Sequence, residues 1–171
     1  MLLRTFTTIC LFFAGFSLYG QFLCNKAATI FCGDVVQNST NSATSIANNY
    51  DCELSSFLGP ERVYKFTLTE KRNVIINLTD FIVNLDLLLL NDCDLGGLGF
   101  TSAEKCLASS TSNSNKESII ASLGPGIYYI VVDAKANVGG NFKLSLSCKD
   151  DLCERAKNIS CGEYFLKQNT I

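Results

Sequence analysis

From Arg62 onward, apolar and polar residues alternate with the two-residue period of β-structure. In residues 62–70, Tyr64, Phe66 and Leu68 share one face, and Val63, Lys65, Thr67 and Thr69 share the other. That alternation predicts a half-buried strand. Lys71, Arg72 and Asn73 read as a polar turn, and residues 73–79 (NVIINLT) as a second strand. Leu85-Asp86-Leu87-Leu88-Leu89-Leu90 is a nearly continuous apolar run bounded by Asn84 and Asn91. Its length and flanks predict a strand buried inside a sandwich, although leucine has no intrinsic preference for β.

A loop over 91–105 follows, holding Asp92, Cys93, Asp94 and three glycines. Residues 106–111 and 117–123 read as strands on either side of the polar turn 112–116. Gly124-Pro125-Gly126 turns the chain into residues 127–134 (IYYIVVDA), its most β-prone run. Asn137-Val138-Gly139-Gly140 turns it again, into residues 141–148. There Phe142, Leu144 and Leu146 alternate with Lys143, Ser145 and Ser147. Upstream, residues 35–40 (VVQNST) predict a strand, and the Asn/Ser-rich stretch 41–50 is either a meandering edge or a loop. About seven to nine short strands with no helical periodicity predict an all-β, antiparallel, jelly-roll-like β-sandwich.

The N-terminus has a different pattern. Arg4 is the only charge before the apolar stretch 6–19, which Gly20 and Gln21 close. A basic start, an apolar run too short to span a bilayer and a small residue predict a secretory signal peptide over 1–20. Cleavage is expected after Gly20, with Ser17 as the alternative. A buried core helix is disfavoured because the run is apolar on every side. Cys10 follows Ile9 and Cys24 follows Leu23, so neither has the small residue that a lipidation site wants. The mature chain is expected to be secreted or at the cell surface, with no transmembrane segment. Its charges are scattered and net acidic, −2 for the whole chain, so there is no basic stripe for a nucleic acid.

Of nine cysteines, Cys10 falls in the signal. An even number in an exported chain predicts disulfides. Cys24, Cys32, Cys52, Cys93, Cys106 and Cys148 are the candidates within the main domain. Six cysteines allow fifteen pairings, and local loop closure favours Cys32–Cys52 and Cys93–Cys106, leaving Cys24 and Cys148 to tie the ends. Zinc is disfavoured, since the chain has no His and no Cys-x-x-Cys.

A repeat sets the domain organisation. Residues 24–33 read CNKAATIFCG and residues 153–162 read CERAKNISCG, matching at both cysteines, the alanine, the isoleucine and the glycine. A fixed period of about one domain marks a module array. The expected organisation is a signal peptide at 1–20, a β-sandwich module at 21–148, and a linker with the start of a second repeat at 149–171. The chain thus reads as an N-terminal piece of a longer protein.

Without His, the Ser–His–Asp and Cys–His systems are absent. Gly96-Gly97-Leu98-Gly99 lacks the spacing and the following helix of a phosphate loop. A carboxylate pair for glycoside chemistry would have to come from Asp80, Asp86, Asp92, Asp94 or Asp133, and these read instead as solvated or backbone-capping residues. No cofactor is expected. Calcium is the better second reading, with Asp92 and Asp94, or Asp51 and Glu53, as oxygen ligands. Tyr128 and Tyr129 must face opposite sides of their strand, so one is expected in the core and the other available outside. Asn38, Asn77 and Asn158 open N-glycosylation triplets, which matter only in a eukaryotic host.

Residues 61–148 resemble the bacterial pre-peptidase C-terminal domain. The resemblance is carried in order by Val63-Tyr64-Lys65-Phe66, Val74-Ile75-Ile76-Asn77-Leu78 and Asn84-Leu85-Asp86-Leu87-Leu88-Leu89. Gly126-Ile127-Tyr128-Tyr129-Ile130-Val131-Val132-Asp133 and the closing strand from Gly140 to Leu146 complete it. Within that pattern Asp86 is expected to satisfy backbone groups in a tight turn. The resemblance implies a non-catalytic β-sandwich appended to secreted enzymes, often peptidases, or repeated in surface proteins, some relatives binding calcium or insoluble polymers. The functional expectation is a secreted module for adhesion to an extracellular polymer or protein, covalently linked to further modules. The alternative is the accessory domain of a secreted hydrolase whose catalytic domain lies outside this chain.

Overall fold

The computed structural model describes residues 27–92 and 106–150, and these fold into nine strands in two sheets. The strands are β1 (Ala28–Thr29), β2 (Val35–Ser39), β3 (Arg62–Leu68), β4 (Arg72–Thr79), β5 (Asp86–Leu90), β6 (Cys106–Ser110), β7 (Glu117–Leu123), β8 (Gly126–Asp133) and β9 (Asn141–Asp150). One sheet has the order β1-β3-β8-β5-β6 and the other β2-β9-β4-β7. Strands β2 to β9 therefore cross repeatedly between the sheets in the manner of a jelly roll. Every pairing is antiparallel except one: β1 runs parallel to β3, with Ala28 opposite Tyr64. The antiparallel sandwich expected from the sequence is thus present, with one short parallel pair added where the chain enters along one sheet before crossing to the other at β2. Arg72, expected in a turn, opens β4 instead, one residue ahead of the strand expected from Asn73.

The alternation read in the sequence fills the space between the sheets. Tyr64, Phe66 and Leu68 of β3 point inward with Val74, Ile76 and Leu78 of β4, Ile130 and Val132 of β8, and Phe142, Leu144 and Leu146 of β9. Phe66 stacks on Tyr128, and Tyr64 meets Phe142 edge-on.

The five-stranded sheet is also covered on its outer face. Residues 41–60, without regular structure, lie across it as a coat. Ala47, Tyr50 and Phe57 of the coat pack on Val63, Leu88, Leu90 and Val131, with Tyr129 half-buried beside them. Tyr50 and Phe57 meet edge-to-face at 5.0 Å. This second core explains why β5 reads as an unbroken apolar run: Leu87 and Leu89 face the inner core, Leu88 and Leu90 the coat, and all four are fully buried. It also corrects the expectation for Tyr129, which lies against the coat and is not a free aromatic platform. Each large apolar side chain so buried contributes about 1.5–3 kcal/mol.

The coat approaches the sheet closely at Gly59. Its N–H and that of Leu58 both donate to the Ala134 carbonyl. A Cβ on Gly59 would come within 2.9 Å of the Ala134 Cβ and 3.0 Å of its carbonyl oxygen.

Among the described residues two disulfides fix this arrangement, Cys32–Cys148 and Cys52–Cys106. Both replace the local pairings expected from loop closure. The first follows from strand register. Val35 faces Ser145 in the β2–β9 pair, and backbone bonds from Gly33 to Leu146 and from Leu146 to Asp34 continue that pairing. Three residues beyond Val35 and Ser145 the two chains reach Cys32 and Cys148, 5.3 Å apart at Cα, within bridging range. The second bond ties the middle of the coat to the start of β6. Cys24 and Cys93, along with the signal peptide and second repeat, lie outside the described residues.

Candidate functional site

Beneath the coat the antiparallel pairing of β5 and β8 sets Asp86 directly opposite Asp133. Side chains alternate along a strand, so Asp86 shares its face with Leu88 and Leu90, and Asp133 with Val131 and Tyr129. Both carboxyls therefore point toward the coat, and both are fully buried. Directly opposed residues hold their Cβ atoms about 4.5–5.5 Å apart, so two carboxyls share one water-poor space.

Their partners differ. Asp133 Oδ1 accepts the Ala134 N–H at 2.7 Å and Oδ2 accepts the Tyr50 hydroxyl at 2.9 Å. Neither oxygen of Asp86 receives a hydrogen bond of normal geometry. Burial pushes the Asp133 carboxyl up to about 8, its hydrogen bonds to Ala134 and Tyr50 offsetting this only in part. Burial likewise raises Asp86 to about 6, against the opposing pull of Lys135. The Tyr50 hydroxyl is itself raised well above its ordinary value, first by burial and then by the charge of Asp133.

A third buried carboxyl, Glu61, precedes β3. Its Oε1 accepts the N–H groups of Ile46 and Ala47 at 2.7 and 3.1 Å, while Oε2 has no partner. Burial raises it to about 7. A fourth acid, Glu53 of the coat, accepts the hydroxyls of Ser109 and Thr111 and faces the Lys135 ammonium at 3.7 Å. Polar anchorage of the coat thus runs largely through carboxyls: Glu61 for its first half, Asp133 for Tyr50, and Glu53 for its middle. A cavity of about 160 Å³ opens where the coat meets the sheet edge, lined by Ala28, Asn38, Ser42, Glu61, Arg62 and Tyr64 among others. At its rim Asn38 donates to the Tyr64 hydroxyl, linking the two sheets.

Two facing carboxyls are the raw material of acid–base chemistry, but Asp86 and Asp133 have no exposed surface. In this closed arrangement neither carboxyl is open to a substrate. Neither of these two is solvated, but Asp133 caps a backbone group as expected, the Ala134 N–H. Asp86 itself is not in a tight turn but begins β5, a strand buried on both faces from its first residue. Asp80 is exposed as expected.

Of the calcium candidates Asp92, Asp94, Asp51 and Glu53, all but Asp94 fall within the described residues. Asp51 is exposed, Glu53 is held by Ser109, Thr111 and Lys135, and Asp94 lies outside the described residues together with most of its loop. Among the described residues no three His, Cys, Asp or Glu side chains converge as a metal site. Tyr50, Glu61 and Glu117 were not singled out by the sequence reading. The one available indication was Asp86, a carboxylate set inside a run expected to be buried.

No family model matches the chain, and no curated protein does. Among solved structures it is similar to the pre-peptidase C-terminal domain of a collagenase from Bacillus anthracis. That likeness has 18% identity and a TM-score of 0.51, and covers 71% of this chain and 95% of that one. It is also similar, at 11% identity and a TM-score of 0.42, to a periplasmic inhibitor of g-type lysozyme from Aeromonas hydrophila, over 72% of this chain and 98% of that one. The first match is a remote likeness of fold.

Proposed function

We propose that this domain is a non-catalytic accessory module of a secreted hydrolase whose catalytic domain lies outside this chain. The observation that carries the reading is the shared fold with nearly the whole of a pre-peptidase C-terminal domain, a module that in that protein belongs to a collagenase. The inaccessibility of every buried carboxyl agrees with a module that positions or binds. Secretion through the signal at 1–20 and two disulfides of an oxidising compartment fit the same setting.

A second reading is favoured by the repeat at 24–33 and 153–162: an adhesive array of such modules, binding an extracellular polymer or protein. The two readings separate in one experiment. An antibody against residues 21–150 recovers the native secreted product, whose mass and peptides are then determined. Peptides of a hydrolase domain in the same product support the accessory reading. A product built only of repeated modules overturns it in favour of the array, and a product near 18.7 kDa overturns both.

A further inference from the structure

The coat rests on an acidic floor with few counter-charges. Asp86 of β5 and Asp133 of β8 oppose each other at its centre. Glu61 stands at the entry to β3, Glu53 and Tyr50 come from the coat itself, and Glu117 opens β7, buried and bound by Ser110 and Ser112. The cations are Lys135, engaged with Glu53 and the face of Phe57, and Arg62, whose guanidinium is bound to the Ser39 carbonyl and the Ser42 hydroxyl. Two opposed carboxylates in a dry site cannot both ionise without a large electrostatic cost. With the coat closed, only the ammonium and backbone N–H of Lys135 offset a charge on Asp86, and neither of its oxygens receives a hydrogen bond of normal geometry.

We propose that residues 41–60 form a pH-gated cover, closed while the Asp86–Asp133 pair keeps at least one proton and lifted locally once the pair is fully ionised. Lifting the coat is the simplest way to hydrate the two charges, because it is the one layer over them without strand pairing. The layer carries few backbone bonds to the sheet, chiefly those from Leu58 and Gly59 to Ala134, so its opening free energy lies at the low end of the domain's range. The strands beneath remain paired, and Cys52–Cys106 keeps the opened segment tethered at its middle. Opening uncovers Val63, Leu88, Leu90 and Val131 as an apolar face. The raised affinity of both aspartates for protons agrees with this gate and places its working range near neutrality.

Hydrogen exchange read by mass spectrometry tests the gate on the full mature chain with disulfides intact, at pH 5.5 and 8.5, with labelling times scaled for intrinsic rates. Coat peptides are expected to lose about tenfold or more in protection at the higher pH, while β4 and β9 keep theirs. Asp86→Asn, which carries no charge, is expected to hold the coat equally protected at both values. Asp133→Asn serves the same purpose should the first variant fold poorly. Equal coat protection in the wild-type chain at the two pH values overturns the proposal. So does simultaneous loss of protection in β4 and β9, or an undiminished pH response in both variants.

Discussion

The Tyr50 hydroxyl donates to Asp133 Oδ2 across 83 residues of chain, joining the coat to the last residue of β8. Its ring meanwhile lies edge-on against Phe57. One side chain thus supplies both apolar cover and a polar tether over a sheet that would otherwise present bare leucine and valine to solvent.

Tyr50→Phe keeps the ring and removes the tether. Asp133 then loses one of its two donors in a buried setting, a loss of about 1–3 kcal/mol. Urea unfolding at constant pH reads this as a lower midpoint with unchanged slope. An unchanged midpoint would mean that the hydroxyl contributes nothing to stability.

Leu87 and Leu88 are neighbours in β5, both fully buried, one facing the inner core and one the coat. Each Leu→Ala change is expected to cost about 2–5 kcal/mol. A sandwich whose outer face were solvated would lose little at Leu88. Comparable losses at both positions in thermal or urea unfolding are the expected mark of the second core.

Non-reducing peptide mapping is expected to find Cys32 linked to Cys148 and Cys52 to Cys106. The loops they close span 116 and 54 residues, so chain entropy assigns each about 4–5 kcal/mol, the longer slightly more. Paired Cys→Ser variants measure this directly. A recovered Cys32–Cys52 peptide would contradict the register of β2 on β9.

Stability should fall as pH rises from about 4 to about 8. The ordinary carboxyl range lies near 4, whereas burial lifts Asp86 to about 6, Glu61 to about 7 and Asp133 to about 8 in the folded chain. Between those values the folded state holds more protons than the unfolded one, so removing protons favours unfolding. The contribution is complete at pH 4 and below, and is lost as pH passes each folded value. Unfolding midpoints measured across this interval should decline, and Asp133→Asn should flatten the upper part of the curve.

Gly59→Ala places a methyl group against the Ala134 carbonyl oxygen and Cβ at about 3 Å. Relief requires the coat to move off the sheet, an overpacking cost of about 1–3 kcal/mol. Limited proteolysis should then cut within 41–60 sooner than in the wild-type chain.

Most of the strand layout is a local property and was legible residue by residue. Tyr64, Phe66 and Leu68, or Phe142, Leu144 and Leu146, declare their buried face through period-two alternation, because a pleated strand sends successive side chains to opposite sides. The run Leu87 to Leu90 declares burial on both faces for the same reason.

What covers the second face is not local. Residues 41–60 are rich in Asn and Ser and lack periodicity, and their few apolar members, Ala47, Tyr50 and Phe57, acquire a role only where the sheet already exists to receive them. Disulfide pairing is likewise decided by topology: Cys32 meets Cys148 because β2 pairs with β9, whereas loop entropy alone favours the nearer Cys52. The opposition of Asp86 and Asp133 depends on the register between β5 and β8. Composition and periodicity determined which segments of this protein are strands and which faces they bury. Pairing partners, covalent links and the meeting of carboxyls beneath the coat were decided only in tertiary structure, because each brings together residues that the chain holds far apart.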